Sequence, residues 1–417
     1  MKTLWLSRIG QIRANLCPMP SSIESVSRIE PARLETPTAA IADVIAELSA
    51  AAAVFGKALH PQTAANLASV VRLMNTYYSN LIEGHNTRPR DIERALAGDV
   101  DVEEDRRNLQ IEALAHVRVQ KRIDEEFFRS ELPDPASSAF LQSLHREFYK
   151  GVPESMLRLK GVDREVVMVP GEWRSESSHD VAVGRHRPPS SDRVAEFMRY
   201  FETRYRRSDM GVAARIMAIP AAHHRLNFIH PFPDGNGRVS RLMSHAMAQY
   251  AGIGAHGLWS VSRGLARGLA NRQEYKSMMD NADATRRSDI DGRGNLSQRA
   301  LEEFTLWFLQ VCLDQVKFMA ALFEIETLEK RLKRYVDQSE MLKPEAAALL
   351  AEALVRGQFD RGEIARITGL PERTARRVLN DTLAEGLLGS DTPKSPVSLR
   401  FPSKALDILL PRLYVEA

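Results

Sequence analysis

His230-Pro-Phe-Pro-Asp234-Gly235-Asn236-Gly237-Arg238-Val-Ser-Arg241 is the stretch on which the reading of this chain turns. Gly235, Asn236 and Gly237 tolerate positive φ. Their successive amide N–H groups can converge into an anion-binding nest. The text that follows, Val239 to Tyr250, is apolar and helical. The nest therefore falls at a helix N-terminus, where the partial positive charge favours phosphate. Arg238 and Arg241 stand on neighbouring faces of the first turn, and guanidinium forks suit phosphate oxygens. Asp234 is a hard carboxylate ligand, suited to a Mg²⁺ ion that itself bridges phosphates. His230 lies just before the nest and titrates where it can accept a proton near neutral pH. A phosphate cradle, a metal carboxylate and a nearby base together spell phosphoryl or nucleotidyl transfer to a hydroxyl.

The rest of the chain sets bounds. Its 417 residues suggest two or three domains. A net charge of +3 gives no strong argument for nucleic acid or membrane. Two cysteines, Cys17 and Cys312, argue against a disulfide framework and fit a reducing cytoplasm. Arg8 interrupts any signal core, and no long apolar run follows. The expected location is cytoplasmic, with no membrane contact.

Residues 1–38 are rich in Pro and Ser and lack periodicity, which predicts an irregular N-terminal arm. Helical text begins near Ala39. Pro61 suits a first turn. Leu67, Val70, Val71, Met74, Tyr78 and Leu81 recur at helix spacing, and Gly84 stops that helix. Thr87 and Pro89 open a short helix. Further helices are expected from about Glu103 to Arg129 and from about Ser137 to Tyr149, and helical text returns from about Asp192 and dominates to about Glu340. A polar, Gly-containing loop from Thr285 to Asn295 interrupts that helical text. Val166–Val169 and Val181–Val183 read as the strands of one hairpin.

The last stretch changes character. Helices are expected near Pro344–Arg356, Arg361–Thr368 and Pro371–Glu385, followed by a hairpin-like Leu387 to Phe401. Three helices and a β wing predict a winged helix-turn-helix. Ile364, Ala365 and Ile367, with Val378, Leu379 and Leu383, are its expected apolar contacts. Arg373, Thr374, Arg376 and Arg377 would face outward and suit DNA phosphates and guanine edges. Such modules also serve as protein-docking or dimer surfaces, so DNA contact and a homodimer both stay open.

The central motif resembles the signature of the Fic family, HxFx(D/E)GNGRxxR, at every fixed position. Ala222 to Ile229 resembles the helix leading into it. The resemblance implies that His230 deprotonates a target hydroxyl, which attacks the α-phosphorus of ATP. It implies that Asp234 holds Mg²⁺, that Gly235, Asn236 and Gly237 bind phosphates, and that Arg238 and Arg241 neutralise the outer ones. Gly237 sides with the AMP-transferring branch, because the kinase-like Doc branch usually carries Lys there.

Ser79-Asn-Leu-Ile-Glu83-Gly84 resembles the family's inhibitory motif, (S/T)xxxE(G/N). By that resemblance Glu83 pairs with Arg241 where the γ-phosphate belongs. Pro170-Gly-Glu-Trp-Arg174, Val181-Ala-Val-Gly184 and Pro188-Pro189 look like the family's flap, which would hold a target segment by strand addition. Val181 and Gly184 are thereby nucleotide-side candidates. Tyr275, in text resembling the helix beyond the signature, is a candidate for the adenine pocket.

The expected fold is mainly α: a Fic helical core with a small β-hairpin flap, then a C-terminal winged helix-turn-helix. The expected divisions are 1–38 (arm), 39–135 (N-terminal helices with the inhibitory helix), 136–340 (catalytic core and following helices) and 341–417 (winged helix). Two functions compete. One is an autoinhibited protein adenylyltransferase acting on a Ser, Thr or Tyr hydroxyl of a target or of itself, with AMP removal as a variant. The other is a DNA-binding regulator whose core only senses nucleotide. The intact His230 favours the first, since sensing needs no base.

Overall fold

The computed structural model describes residues 24–85, 87–160, 165–184 and 186–414. Cys17, Asn86 and most of the N-terminal arm lie outside the described residues. In chain order the helices are α1 (Ala39–Val54), α2 (Pro61–Ile82), α3 (Pro89–Leu96), α4 (Glu104–Phe128), α5 (Ser138–Phe148) and α6 (Glu154–Leu157). Strands β1 (Arg158–Lys160) and β2 (Glu165–Val167) follow. Next come α7 (Val194–Tyr205), α8 (Val212–Ile229), α9 (Asn236–Tyr250), α10 (Val261–Arg267), α11 (Glu274–Ala282), α12 (Gln298–Leu322) and α13 (Ile325–Gln338). The chain ends with α14 (Ala346–Arg356), β3 (Gln358–Phe359), α15 (Ile364–Thr368), α16 (Glu372–Ala384), β4 (Leu388–Gly389), β5 (Val397–Leu399) and α17 (Leu406–Leu409). The fold is mainly helical with small sheets, as the periodicity predicts.

Two compact units divide these elements. The first holds the residues up to Ala50, Asn75–Gly254 and Val261–Asp314. At its centre α8 packs on α9, with α4, α5 and α7 around them. Helix α8 has almost no wet face: Ile216 to Leu226 are all buried, as are Phe228 and Ile229. That buried length includes His223, His224 and Arg225, whose polar atoms are hydrogen-bonded inside the unit, and the helix delivers its C-terminal end to the signature loop. The arm is stitched down where it is described. Ile29 and Ala32 are fully buried. The Arg225 guanidinium donates to the Pro31 carbonyl at 2.9 and 3.2 Å.

The expected hairpin is differently built. Strand β2 pairs antiparallel with β1, Leu159 opposite Val166, and not with Val181–Val183. Val183 makes only an isolated bridge to His186. The nearer partner wins because Pro170 and Gly171, the latter at φ 89°, turn the chain away after β2. Arg158-Leu-Lys160 carries too little β-branched text to announce a strand.

The second unit comprises Ala51–Met74, Ala255–Ser260 and Gln315–Ala417. Its three-stranded sheet runs β3-β5-β4, all antiparallel. Asp360 and Glu363 form a capping box before α15. Gly369, at φ 69°, makes the turn into α16. Ile364, Val378 and Leu379 are buried, as expected. Leu383 is only half-buried, and Thr382 takes the interior place with its hydroxyl donating to the Val378 carbonyl at 2.7 Å. Strand β3 and α17 are additions the sequence did not announce. Helix α13 packs against α14 and α17, burying Leu328, Leu332 and Val336. No single helix among the described residues is long and apolar enough to cross a membrane.

Candidate active site

The signature loop begins where α8 stops. His230 ends that helix at φ 51°, ψ 61°, and its N–H still donates to the Leu226 carbonyl. A left-handed non-glycine residue costs about 1–3 kcal/mol and persists only when its surroundings over-determine it. The surroundings here are specific. Arg174 donates from Nε to the His230 carbonyl at 2.6 Å and from Nη2 to the Ile229 carbonyl at 3.0 Å. Burial first, and then the Arg174 charge, push the His230 imidazole down to about 3. At neutral pH it is therefore uncharged and able to take a proton.

The loop is closed by Asn236, whose side chain accepts from Phe232 N–H at 2.9 Å and donates to the Phe232 carbonyl at 2.8 Å. The expectation of positive φ at three successive residues holds only at Gly235, at 80°. Asn236 and Gly237 already belong to the first turn of α9. Gly237 is required for a different reason. A Cβ there would meet Glu83 Oε1 at 2.5 Å, so the carboxylate from α2's end lies against the α9 N-terminus.

The Asp234 side chain is 43% exposed, and its Oδ2 accepts from Tyr149 OH and from Arg238 Nη2, each at 2.8 Å. Burial raises its pKa, but Arg238, Tyr149 and the Gly235 amide outweigh that and hold it below the usual carboxylate range. Arg238 is nearly buried and also reaches Glu112 Oε1 at 2.7 Å, with its guanidinium above the Phe148 and Tyr149 rings. Glu112 in turn faces His85 Nδ1 at 3.2 Å.

Arg241 is almost wholly buried. Its Nη2 donates to Glu83 Oε1 at 2.5 Å and to the Ser79 carbonyl at 3.3 Å, and its Nε to Ser79 Oγ at 2.9 Å. Gly84 follows at φ 88°, ending α2 as the sequence predicts. Thus Ser79, Glu83, Gly237 and Arg241 meet in one place. Tyr275 is nearly buried: its hydroxyl is 2.7 Å from His223 Nε2, and its ring stacks on Trp307. Val181 is half-buried and Gly184 exposed, and their loop is anchored by His186, which donates to the Phe228 carbonyl at 2.8 Å.

Sequence reasoning missed several members. His145 stacks on Phe232 at 3.9 Å. Its Nδ1 accepts from Gly171 N–H at 2.8 Å, so Nε2 carries the proton and donates to the Asp234 carbonyl at 3.2 Å. Burial holds this imidazole neutral, its pKa lowered to about 4. Tyr149 and Glu112 sit in helical text that reads as ordinary amphipathic surface. Arg174 falls in the flap-like text, where its sequence alone implies no role. Nothing in local pattern separates such residues from solvated charge.

The sequence that carries this arrangement is similar to known proteins. A Fic/DOC family model covers residues 135–248, which include His145, Tyr149, Arg174 and the whole signature. Over those residues the chain is similar to Fic/DOC family proteins. It is 37% identical over 82 residues to protein adenylyltransferase Fic of Drosophila erecta, covering 20% of this chain and 16% of that protein. It is 35% identical over 82 residues to the Aedes aegypti protein of the same name, with the same shares. The match thus spans about a sixth of the length of these curated relatives. A Fic family protein from Desulfovibrio desulfuricans G20 aligns over 88% of this chain and 98% of its own, with a TM-score of 0.50 and 17% identity. That likeness speaks for the fold.

Proposed function

We propose that this protein is an autoinhibited adenylyltransferase that moves AMP from ATP onto a hydroxyl of a target protein. The observation that carries the reading is the Glu83–Arg241 contact of 2.5 Å, made beside Gly237 at the head of the signature helix. A carboxylate there takes up a guanidinium that would otherwise meet a phosphate.

In the released state the Gly235–Gly237 turn and the α9 N-terminus receive phosphate oxygens. Arg238 and Arg241 balance the charge of the outer phosphates. His230 takes the proton of the target hydroxyl as that oxygen bonds to the α-phosphorus. The bond from the α-phosphorus to the bridging oxygen breaks, and pyrophosphate leaves. The part-exposed Asp234 carboxylate fits Mg²⁺, and no cluster of three or more metal-ligating side chains occurs among the described residues. One carboxylate with the nucleotide's own oxygens is an ordinary Mg²⁺ setting, and when bound the ion would offset charge on the phosphates. Val183 and Gly184, the exposed end of the Val181–Gly184 segment, support a flap role with a target strand as partner.

The test is to incubate the Glu83→Gly protein with α-labelled ATP and Mg²⁺ and follow label on protein, this chain included. Label transfer that depends on His230 supports the proposal. No transfer with ATP bound normally overturns it.

A second reading rests on α16. Arg373, Arg376 and Arg377 are exposed on one helix, a setting for DNA phosphates beyond the Fic core. Measuring DNA binding by the intact protein at low salt decides whether it operates.

A further inference from the structure

We propose that Arg174 is a positioning residue for His230: its guanidinium fixes the left-handed turn that presents the base, and locks that turn to the base of the flap. The inference rests on the adenylyltransferase reading and adds a residue to its machinery.

The guanidinium is 1% exposed, yet its partners are chiefly neutral carbonyls. Beyond His230 and Ile229 it donates to the Pro189 carbonyl at 2.5 Å and to Ser191 Oγ at 2.9 Å. Its own backbone N–H donates to the Pro231 carbonyl at 2.9 Å. Asp180, at 3.5 Å, is the nearby carboxylate, and it also accepts from Ser191 N–H and Oγ. A buried cation is costly unless hydrogen-bonded, so a simple structural plug would be cheaper as an apolar residue. What the five-donor fork supplies is a fixed geometry across three separate carbonyls.

Those carbonyls belong to two segments. Ile229 and His230 end α8, and Pro189 lies at the end of the flap text. The orphan carbonyls of a helix terminus need donors. Here the donor is imported from a remote segment, so the left-handed step at His230 is set by Arg174 as well as by local sequence. A shift of about 1 Å in a catalytic group can cost about 10²-fold in rate.

Arg174→Gln in the Glu83→Gly protein is expected to lower kcat about 100-fold while KM and Kd for ATP stay within about threefold, since Arg174 meets none of the phosphate-binding residues. Arg174→Lys keeps the charge but not the fork, and should fall between. Added guanidinium ion should restore part of the rate in Arg174→Ala. An unchanged kcat, or kcat and ATP affinity falling together, overturns the proposal. So does failure of both Lys and guanidinium to recover rate. One further measurement separates this idea from the reaction itself. In ring-labelled protein the His230 Cε1–H resonance should move in Arg174→Gln and stay in the control Arg215→Gln, a change in the first turn of α8, where Arg215 Nε donates to the Arg207 carbonyl at 3.1 Å. If the Glu83→Gly parent transfers nothing, the adenylyltransferase reading has failed, and the His230 resonance still decides the positioning role: a stationary signal sinks it. If Gln and Ala variants do not fold, Arg174→Lys with a reduced kcat and unchanged KM carries the test, and wild-type kcat in that variant refutes it.

Discussion

Glu83 and Arg241 stand 158 positions apart in sequence and 2.5 Å apart in space. The carboxylate follows the C-terminal end of α2, and the guanidinium lies buried in α9. A charge-assisted hydrogen bond of this kind is worth about 1.5–3 kcal/mol. Removing the carboxylate by Glu83→Gly should therefore raise AMP transfer about 10- to 100-fold. Arg241→Ala should not activate, because it removes the anchor and the phosphate ligand together. The double variant should behave like Arg241→Ala alone, a strongly non-additive result. Initial rates of label transfer for the four proteins decide it, and an unchanged rate in Glu83→Gly with ATP bound normally removes autoinhibition from the account.

Gly237 offers a second handle on the same contact. A Cβ there would sit 2.5 Å from Glu83 Oε1 and 3.0 Å from Arg241 Nη1. Gly237→Ala should destabilise the wild type by about 1–3 kcal/mol through overpacking. In the Glu83→Gly background the first obstacle is gone, and most of that loss should disappear. Denaturant midpoints across this double-mutant cycle measure it. Equal losses in both backgrounds would mean that Glu83 does not press on the α9 N-terminus in solution.

His230→Ala should cut transfer about 10²–10⁴-fold, the usual effect of losing a general base. ATP binding should persist, because His230 precedes the phosphate turn. Burial and Arg174 place its pKa at about 3, so the base is already deprotonated at pH 6 and above. Transfer by Glu83→Gly should accordingly show no loss assignable to His230 between pH 8 and pH 6. Titration calorimetry with ATP, beside rates, tests both halves.

Legibility followed the length scale of each interaction. Helix ends were readable because Pro61 and Gly84 act locally, through a fixed φ and a tolerated positive one. The signature was readable because its chemistry is packed into contiguous positions. The hairpin was misassigned because strand choice is a competition between partners, and the winning one, Arg158–Lys160, carries charged text. Gly237 is constrained by the Glu83 carboxylate at the end of α2 and not by its own φ, and no local pattern places that carboxylate beside it. Glu112, His145, Tyr149 and Arg174 were invisible as site residues. Each becomes one only when folding brings it against Arg238, Asp234 or His230.

In the second unit, among the described residues, Arg376 and Arg377 pair within α16, with Glu372 at 2.5 Å and Asp381 at 4.0 Å. Such surface pairs hold little energy and would yield readily to phosphate. If this face meets DNA, changing Arg373, Arg376 and Arg377 together to Ala should reduce the slope of log K against log salt by about 0.9 for each lost phosphate contact. Binding isotherms at several salt concentrations give that slope. No binding by the intact protein at low salt removes the regulator reading.

Acid should loosen the first unit through its buried imidazoles. His116 is fully buried on α4, its Nδ1 3.0 Å from Thr76 Oγ1 of α2. Burial first, and then the charge of Arg241, lower its pKa from 6.5 to about 3. His223, between Ser244 and Tyr275, is lowered to about 3 by the same two causes. The direction follows from linkage. Between pH 6.5 and about 3 the unfolded chain binds protons at these histidines and the folded chain does not, so stability falls as pH falls through that window. Above the unfolded value both states are neutral and the effect vanishes. Each such group adds about 1.4 kcal/mol per pH unit to the slope of unfolding free energy. His116→Gln removes one of them while leaving a polar side chain near Thr76. Its unfolding free energy should depend on pH less steeply than wild type between pH 6 and pH 4, by about one proton's worth. Denaturant unfolding at several pH values reads the slope directly. A wild-type slope in His116→Gln would mean that His116 is protonated in the folded protein.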